Sequence, residues 1–317
     1  MVCSSQAIAA DRHSARDREN VTSEFEVAAM RDLNGRRAVV TGAAAGIGRA
    51  IARDLCQAGC RLELIDIDEQ GLRALSEELE AAGGTVHWHL CDLTQRDQID
   101  ATFDRILADE PTFDVLVNNA GVACYGPAHR MSTDQWDWLL DINLRAPIYL
   151  THRLLPMLLE QPEPAILNVC SIAGIVAGGR SCAYHVSKFG LLGFTEALRA
   201  EYGRRGLNVT ALCPGPVQTD LYRDGVSSRS DGKIPEPPGW ACASVERVAA
   251  RGIAGLRRNK RMVLVTPLAY GLYWMNRIAP WALDLANQAT KSRKRRQKTT
   301  VAATSTPEIS AEQKRAA

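Results

Sequence analysis

The sequence has no dominant charge of either sign. Lys and Arg number 38 against 36 Asp and Glu in 317 residues, a formal charge of +2, and six positive residues crowd into Lys291–Lys298, leaving the remainder near −4. A body so balanced lacks the electrostatic footprint of a nucleic-acid surface. Paired cysteine spacing is also missing. The nine cysteines, an odd number, are scattered from Cys3 to Cys242, with neither zinc-site spacing nor the density of a disulfide scaffold. They fit a reducing compartment, so a cytoplasmic protein is expected. The six histidines form no ligand cluster. His87 and His89 alternate along a strand-like run without a third ligand, so no metal is expected. The first 33 residues mix acidic and basic side chains and have no apolar h-region, which excludes a signal peptide, and the acids count against an organellar transit sequence. Residues 1–34 are expected to be a flexible extension. What is present, 46% hydrophobic and 23% charged, suits a globular protein with one large α/β domain or two small ones.

The chemistry concentrates between Asn168 and Lys188. Tyr184 and Lys188 are four residues apart, so on a helix they share a face, where a fixed cation favours the phenolate and lowers the tyrosine pKa from about 10. Tyr184 then becomes a proton shuttle near neutral pH. Ser171, at the end of the apolar run Ala165–Cys170, adds a hydroxyl, and Cys124 and Cys170 are the thiols near this centre.

Upstream, Arg37–Thr41 reads as a short strand, Gly42-Ala-Ala-Ala-Gly46-Ile-Gly48 as a glycine turn, and the alanine-rich stretch to Ala58 as a helix. Such a turn lets backbone approach a pyrophosphate, whose charge the free N–H groups at the helix start would hold. The next strand, Arg61–Asp66, ends in a carboxylate eighteen residues after Gly48. A carboxylate there accepts both adenosine ribose hydroxyls and repels a 2′-phosphate, and Ala45 and Ile67 stand where a phosphate-binding cation is otherwise expected, so NAD is preferred to NADP. Strand and helix patterns then alternate through Thr85–Cys91, Phe113–Val117, a long helix centred on Asn143, Ala165–Cys170, a helix from Ala183 to Arg204, Leu207–Cys213, a helix over Ser244–Arg257 and Met262–Val265. Alternation of this kind implies a parallel sheet covered on both faces, with ligands at the carboxyl ends of its strands.

With these residues in order, the sequence resembles the short-chain dehydrogenase/reductase family over about residues 35–266. Thr41-Gly42-x-x-x-Gly46-x-Gly48, Asp92, Asn118-Asn119-Ala120-Gly121, Asn143, Ser171, Tyr184-x-x-x-Lys188 and Pro214-Gly215 look like the family's signatures. The resemblance implies an α/β fold, a single doubly wound parallel-sheet (Rossmann-type) domain. It implies catalytic roles for Asn143, Ser171, Tyr184 and Lys188. Tyr184 would be the general acid/base, Lys188 would lower its pKa and hold the nicotinamide ribose, Ser171 would bond the reacting oxygen, and Asn143 would seat a relay water. Cofactor contacts are expected from Thr41, Gly42, Ala44, Gly46, Ile47, Gly48, Asp66, Ile67, Asp92, Leu93, Asn119, Ala120, Gly121, Tyr184, Lys188, Pro214, Gly215, Val217 and Thr219. The function implied is hydride transfer between NAD(H) and the CH–OH or C=O group of a hydrophobic alcohol or ketone. The alternatives are an NADP(H)-dependent carbonyl or 3-oxoacyl reductase and a non-catalytic nucleotide sensor. Family members commonly pair through the helices holding the Asn143 and Tyr184 positions, so a homodimer or homotetramer is expected.

Residues 216–240, with a Pro/Gly/Ser-rich stretch from Asp224 to Gly239, are expected to form the substrate loop and to line the pocket with the residues around Ile172–Arg180, where no charged cluster demands an acidic or phosphorylated substrate. Residues 267–290 read as an apolar helical segment and 291–317 as a basic tail. The uncharged run from Pro267 stops at Arg277, short of the ~20 residues a membrane span needs, which leaves covering the substrate pocket, packing against another subunit or lying in a membrane surface, and the basic run Lys291–Lys298 favours the last, peripheral contact with anionic lipid.

Overall fold

The short Val/Ile/Leu runs become strands because each is buried on both faces of one sheet. In the computed structural model, which describes residues 32–227, 233–285 and 288, the strands are β1 (Arg37–Thr41), β2 (Arg61–Asp66), β3 (Val86–Leu90), β4 (Val115–Asn118), β5 (Cys124–Tyr125), β6 (Ala165–Val169), β7 (Asn208–Cys213), β8 (Val226–Ser227) and β9 (Met262–Leu264). Seven of these described strands form a sheet of order β3-β2-β1-β4-β6-β7-β9, with every pairing parallel. Parallel neighbours need crossovers, which the helices provide. These are α1 (Gly46–Gln57), α2 (Glu69–Ala81), α3 (Arg96–Asp109), α4 (Thr133–Leu140), α5 (Ala146–Leu158), α6 (Cys182–Tyr202), α7 (Leu221–Asp224), α8 (Val245–Arg257) and α9 (Pro267–Ile278).

One core layer joins α1, α2 and α8 to the sheet through Ile51, Leu55, Leu72, Leu75, Val248 and Leu256. The other joins α3, α5 and α6 through Phe103, Ile106, Leu150, Leu154 and Leu198. The chain leaves β1 towards β3 on one side and resumes at β4 on the other. This reversal opens a crevice above the carboxyl ends of β1 and β4. At the opposite end of the sheet the buried Arg37 donates to Glu63 at 2.7 and 3.0 Å and lies 4.6 Å over the Phe113 ring. His87 and His89 both face that same carboxylate, at 3.3 and 2.7 Å. The pair therefore has an acidic neighbour, but a guanidinium already occupies it. Among the described residues no group of three or more His, Cys, Asp or Glu is arranged to hold a metal ion.

Three elements differ from the sequence reading. The long helix around Asn143 is interrupted, with a π-helical turn over Asp141–Arg145 separating α4 from α5. Its cause is local: the Asn143 amide bonds Val122 through both its oxygen and its nitrogen, which holds the turn wide. The 216–240 span is not one irregular loop either. It contains α7, β8 and a 3-10 turn at Gly239–Ala241, and β8 pairs with β5 to form a two-stranded parallel ladder beside the crevice. Finally, the apolar C-terminal segment breaks at Ala279 (φ −137, ψ 61), because Pro280 disfavours a helical residue before it, and helical structure resumes over 280–285. The expected N-terminal extension through residue 31 and the basic tail from 291 lie outside the described residues.

Candidate active site

The glycine turn closes on the loop after β4. Gly42 has φ +63, and a Cβ there would stand 2.8 Å from Ala120 Cα, while one on Gly48 would meet the Gly42 carbonyl oxygen at 2.0 Å. Only glycine permits either approach. Thr41 and Asn119 sew the two loops together: Thr41 Oγ1 accepts the N–H groups of Asn119 and Ala120 at 3.0 and 3.1 Å, and Asn119 Nδ2 donates to the carbonyls of Thr41 and Gly42 at 3.0 Å. The start of α1 is left open to an anion, with no side chain capping Ala45 and no acidic residue in its first turn.

Above this turn lies a cleft of about 710 Å³. Asp66 lines one end. Its carboxylate accepts the N–H groups of Ala44, Ile67 and Asp68 at 2.8, 2.7 and 3.0 Å, which fixes its rotamer. Burial pushes its carboxyl above the usual range despite these three donors. A carboxylate has about four lone-pair sites, so acceptor capacity remains for a ligand. Asp68, Ala44 and Ala45 also line the cleft, adding a second carboxylate and two uncharged side chains.

At the other end β6 delivers Ser171 and the first turns of α6 deliver Tyr184 and Lys188. The Ser171 hydroxyl lies within hydrogen-bonding reach of the Tyr184 phenol and also accepts the Ala173 N–H at 3.1 Å, capping the turn that follows. Lys188 Nζ is buried, donates to the Val169 carbonyl at 3.1 Å and sits 5.8 Å from the centre of the Tyr184 ring. The π turn sets Asn143 against this pair. A Cβ on Gly121 would come within 3.3 Å of Asn143 Oδ1 and 3.4 Å of Lys188 Nζ, so these two polar atoms flank the same glycine.

The expected lowering of the tyrosine pKa by Lys188 is not what this arrangement gives. Burial drives the Tyr184 phenol well above its ordinary value, with only the Ser171 hydrogen bond opposing, and burial also depresses the Lys188 ammonium. Desolvation penalises the charged form of both groups and outweighs a cation committed to a backbone carbonyl.

Of the residues singled out from the sequence, Gly42, Ala44, Gly46, Ile47, Asp66, Asn119, Ala120, Gly121, Ser171, Tyr184, Lys188, Pro214, Gly215, Val217 and Thr219 line the cleft. Thr41, Gly48, Ile67 and Asn143 stand behind it as supports. Asp92 and Leu93 do not reach it: Asp92 accepts the Thr94 N–H and hydroxyl at 2.9 and 2.7 Å, shaping the turn after β3, and Leu93 is buried in the core. Cys124 also lines the cleft, with burial pushing its thiol up to about 12, so it is no nucleophile at neutral pH.

Two residues escaped the sequence reading. Ser187, between Tyr184 and Lys188, donates to the Tyr184 carbonyl at 2.8 Å and accepts from Asn143 Nδ2 at 3.1 Å, anchoring the π turn to α6. His185 shares a close contact of 2.8 Å between Nδ1 and the Ala173 carbonyl, and accepts the Gly178 N–H on Nε2 at 2.9 Å. One imidazole thus ties the turn after Ser171 to the loop beyond it. Only the position of His185 beside Tyr184 hinted at this.

The profile of the short chain dehydrogenase family matches residues 36–229. The chain belongs to the short-chain dehydrogenase family. It is therefore an oxidoreductase that works with a nicotinamide cofactor. This short-chain dehydrogenase is 38% identical over 189 residues to D-threitol dehydrogenase of Mycolicibacterium smegmatis, spanning 60% of this chain and 73% of that one. It is 33% identical over 229 residues to 3beta-hydroxysteroid dehydrogenase 2 of Eggerthella lenta, spanning 72% and 83%. Among solved structures, a metagenomic short-chain oxidoreductase in complex with NADP superposes with a TM-score of 0.61 at 33% identity, covering 74% of this chain and 98% of that one. Among the described residues no helix is long and apolar enough to cross a membrane.

Proposed function

We propose that the protein transfers a hydride between NAD(H) and the CH–OH or C=O carbon of a hydrophobic alcohol or ketone, with Tyr184 as the general acid/base. The observation that carries this reading is the buried Ser171–Tyr184–Lys188 group at one end of a cleft whose other end holds Asp66. The residues present fit a dinucleotide: an uncapped helix start for the pyrophosphate, glycines where a Cβ would intrude, and a carboxylate for the adenosine ribose. When bound, the nicotinamide accepts the hydride from an alcohol or returns it to a ketone. Ser171 holds the reacting oxygen at the hydroxyl it already presents to Tyr184. In oxidation the substrate O–H proton passes to the Tyr184 oxygen while the carbinol C–H pair departs and the C=O bond forms. In reduction the phenol returns that proton to the oxygen. Lys188 and Asn143, fixed by backbone carbonyls and by Ser187, keep the polar wall of the site in place.

NAD is favoured because a ribose 2′-phosphate would meet the carboxylates of Asp66 and Asp68, and Ala44 and Ala45, which also line the cleft, carry no charge to offset them. The relative holding NADP makes this a property to be tested on this chain rather than borrowed. A hydrophobic substrate is favoured by Val122, Ala123, Leu221, Tyr222, Ile234 and Pro235 in the cleft wall, where the charged pair Asp220 and Arg223 is bonded to itself at 2.5 Å. The threitol and steroid enzymes among its relatives act on substrates of opposite polarity, so the walls and not the relatives argue for this class. A panel of secondary alcohols read by NADH formation tests it: sterols, terpenols and long-chain alcohols should turn over, and strict preference for small polyols would sink the hydrophobic assignment. A homodimer or larger homo-oligomer is the assembly we propose, on the strength of the exposed Ile148, Val186 and Phe189 on α5 and α6.

A further inference from the structure

The outward face of α9 inverts the usual pattern of a surface helix. Ala269 is buried, Leu272 and Tyr273 are half-buried, and Asn276 Nδ2 donates to the Ile175 carbonyl at 3.0 Å, so one side of the helix is docked on the body. At 100° per residue the opposite side presents Pro267, Gly271, Trp274 and Ile278, bordered by Leu268, Tyr270 and Met275. Solvent should meet polar residues there. Among the described residues twelve large hydrophobic side chains are exposed, and seven of them lie between Leu268 and Leu285. Trp274 is 55% exposed, Ile278 74% and Trp281 64%. A patch of this concentration marks a surface that is covered in use.

We propose that this face seats the enzyme on a membrane surface rich in anionic lipid. Three observations select that occupant. The helix has 12 residues. At ~1.5 Å per residue it is about 18 Å long against a hydrocarbon core of about 30 Å, so it lies in the interface rather than through it. Tyr270 and Trp274 sit among aliphatic side chains on the exposed side of α9, and Trp281 is exposed just beyond its end, the amphipathic ring content that headgroup depth favours. Finally, the sequence reaches Lys291, Arg293, Lys294, Arg295, Arg296 and Lys298 starting thirteen residues after Ile278, while the rest of the molecule stands near −4. A dense cationic run beside an apolar helix complements anionic headgroups. The docked side of α9 rests on the residues that follow Ser171, with Tyr273 packed in the same cluster as Ile172 and Ile175. A lipid surface under the outward face of α9 therefore stands one helix diameter, about 10 Å, from the turn that follows Ser171.

Co-sedimentation of the full chain with vesicles tests this, using phosphatidylcholine alone and phosphatidylcholine mixed with phosphatidylglycerol. Recovery should be about tenfold higher on the anionic vesicles, and raising ionic strength from about 0.1 M to about 1 M, which shortens the Debye length from about 10 to about 3 Å, should release most of it. A full chain carrying Trp274→Ser with Ile278→Ser should fall to the phosphatidylcholine level while keeping NADH affinity and its melting temperature. A second full chain, with the six basic residues of 291–298 replaced by Gln, should fall equally and leaves α9 intact should the first variant fold poorly. Absence of binding by the unmodified chain would overturn the proposal. So would equal recovery of the unmodified chain and the Gln variant on anionic vesicles. A drop in solution mass for Trp274→Ser with Ile278→Ser, without loss of vesicle recovery, would assign the face to a second copy instead.

Discussion

Asp66 and Tyr184 each have their chemistry set by burial as much as by partners. Asp66 keeps three backbone N–H groups on its carboxylate, yet burial still pushes its pKa up, so it is a restrained acceptor with no cation of its own. Its removal should change cofactor choice and leave the N–H groups of Ala44, Ile67 and Asp68 without their acceptor. Asp66→Ala is expected to weaken NADH binding by about tenfold, the scale of one or two lost hydrogen bonds, and to leave NADPH equal or improved. Fluorescence titration with both nucleotides reads this directly. A wild-type enzyme that binds NADPH tenfold more tightly would refute the charge argument. The identity of both residues was legible in the sequence, since a carboxylate after the second strand and a Tyr-x-x-x-Lys spacing are local patterns. The direction of the tyrosine shift was not, because desolvation depends on what the fold packs over the ring.

At the scale of elements, the support of the site comes from interruptions. The π turn over Asp141–Arg145 sets Asn143 between Val122 and Ser187, and the His185 ring spans from the Ala173 carbonyl to the Gly178 N–H. Neither follows from hydrophobic periodicity, which reads straight through the π turn as helix and has no information on which loop a histidine will bridge. The same blindness hid β8 and α7 in a span whose composition reads as loop. The apolar strands and the glycine turn, in contrast, were legible because their signals are local and strong. His185 is a positioning residue in this scheme. His185→Ala should lower kcat by about tenfold to a hundredfold through loss of the Ser171 turn's alignment, with NADH affinity unchanged. His185→Gln, which offers both a donor and an acceptor, should recover part of that loss. Equal kcat for wild type and the Ala variant would show that the bridge does not matter to turnover.

For the molecule as a whole, the order β3-β2-β1-β4-β6-β7-β9 gathers Gly42, Asp66, Asn119, Ser171 and Gly215 at one edge. A parallel sheet covered on both faces followed from strand–helix alternation, and the doubly wound domain from the family resemblance, but assembly does not follow from a single chain. The exposed Ile148, Val186 and Phe189 on neighbouring helices predict an association of copies in solution. Sedimentation at micromolar concentration should return a dimer or tetramer, and a monomer there would remove the idea.

Turnover of Tyr184→Phe as a function of pH tests the whole account most directly. Because burial raises the Tyr184 pKa, the phenol is protonated at neutral pH. Oxidation, which needs the phenolate, should therefore accelerate as pH rises, whereas reduction, which needs the phenol, should hold its rate until pH reaches the raised pKa. Removing the hydroxyl should cut kcat by about 10²–10⁴-fold in both directions and abolish the rise of oxidation with pH, with NADH binding retained. A Tyr184→Phe enzyme that keeps near-wild-type turnover, or the same pH profile, would contradict the assignment of Tyr184 as the group that moves the proton.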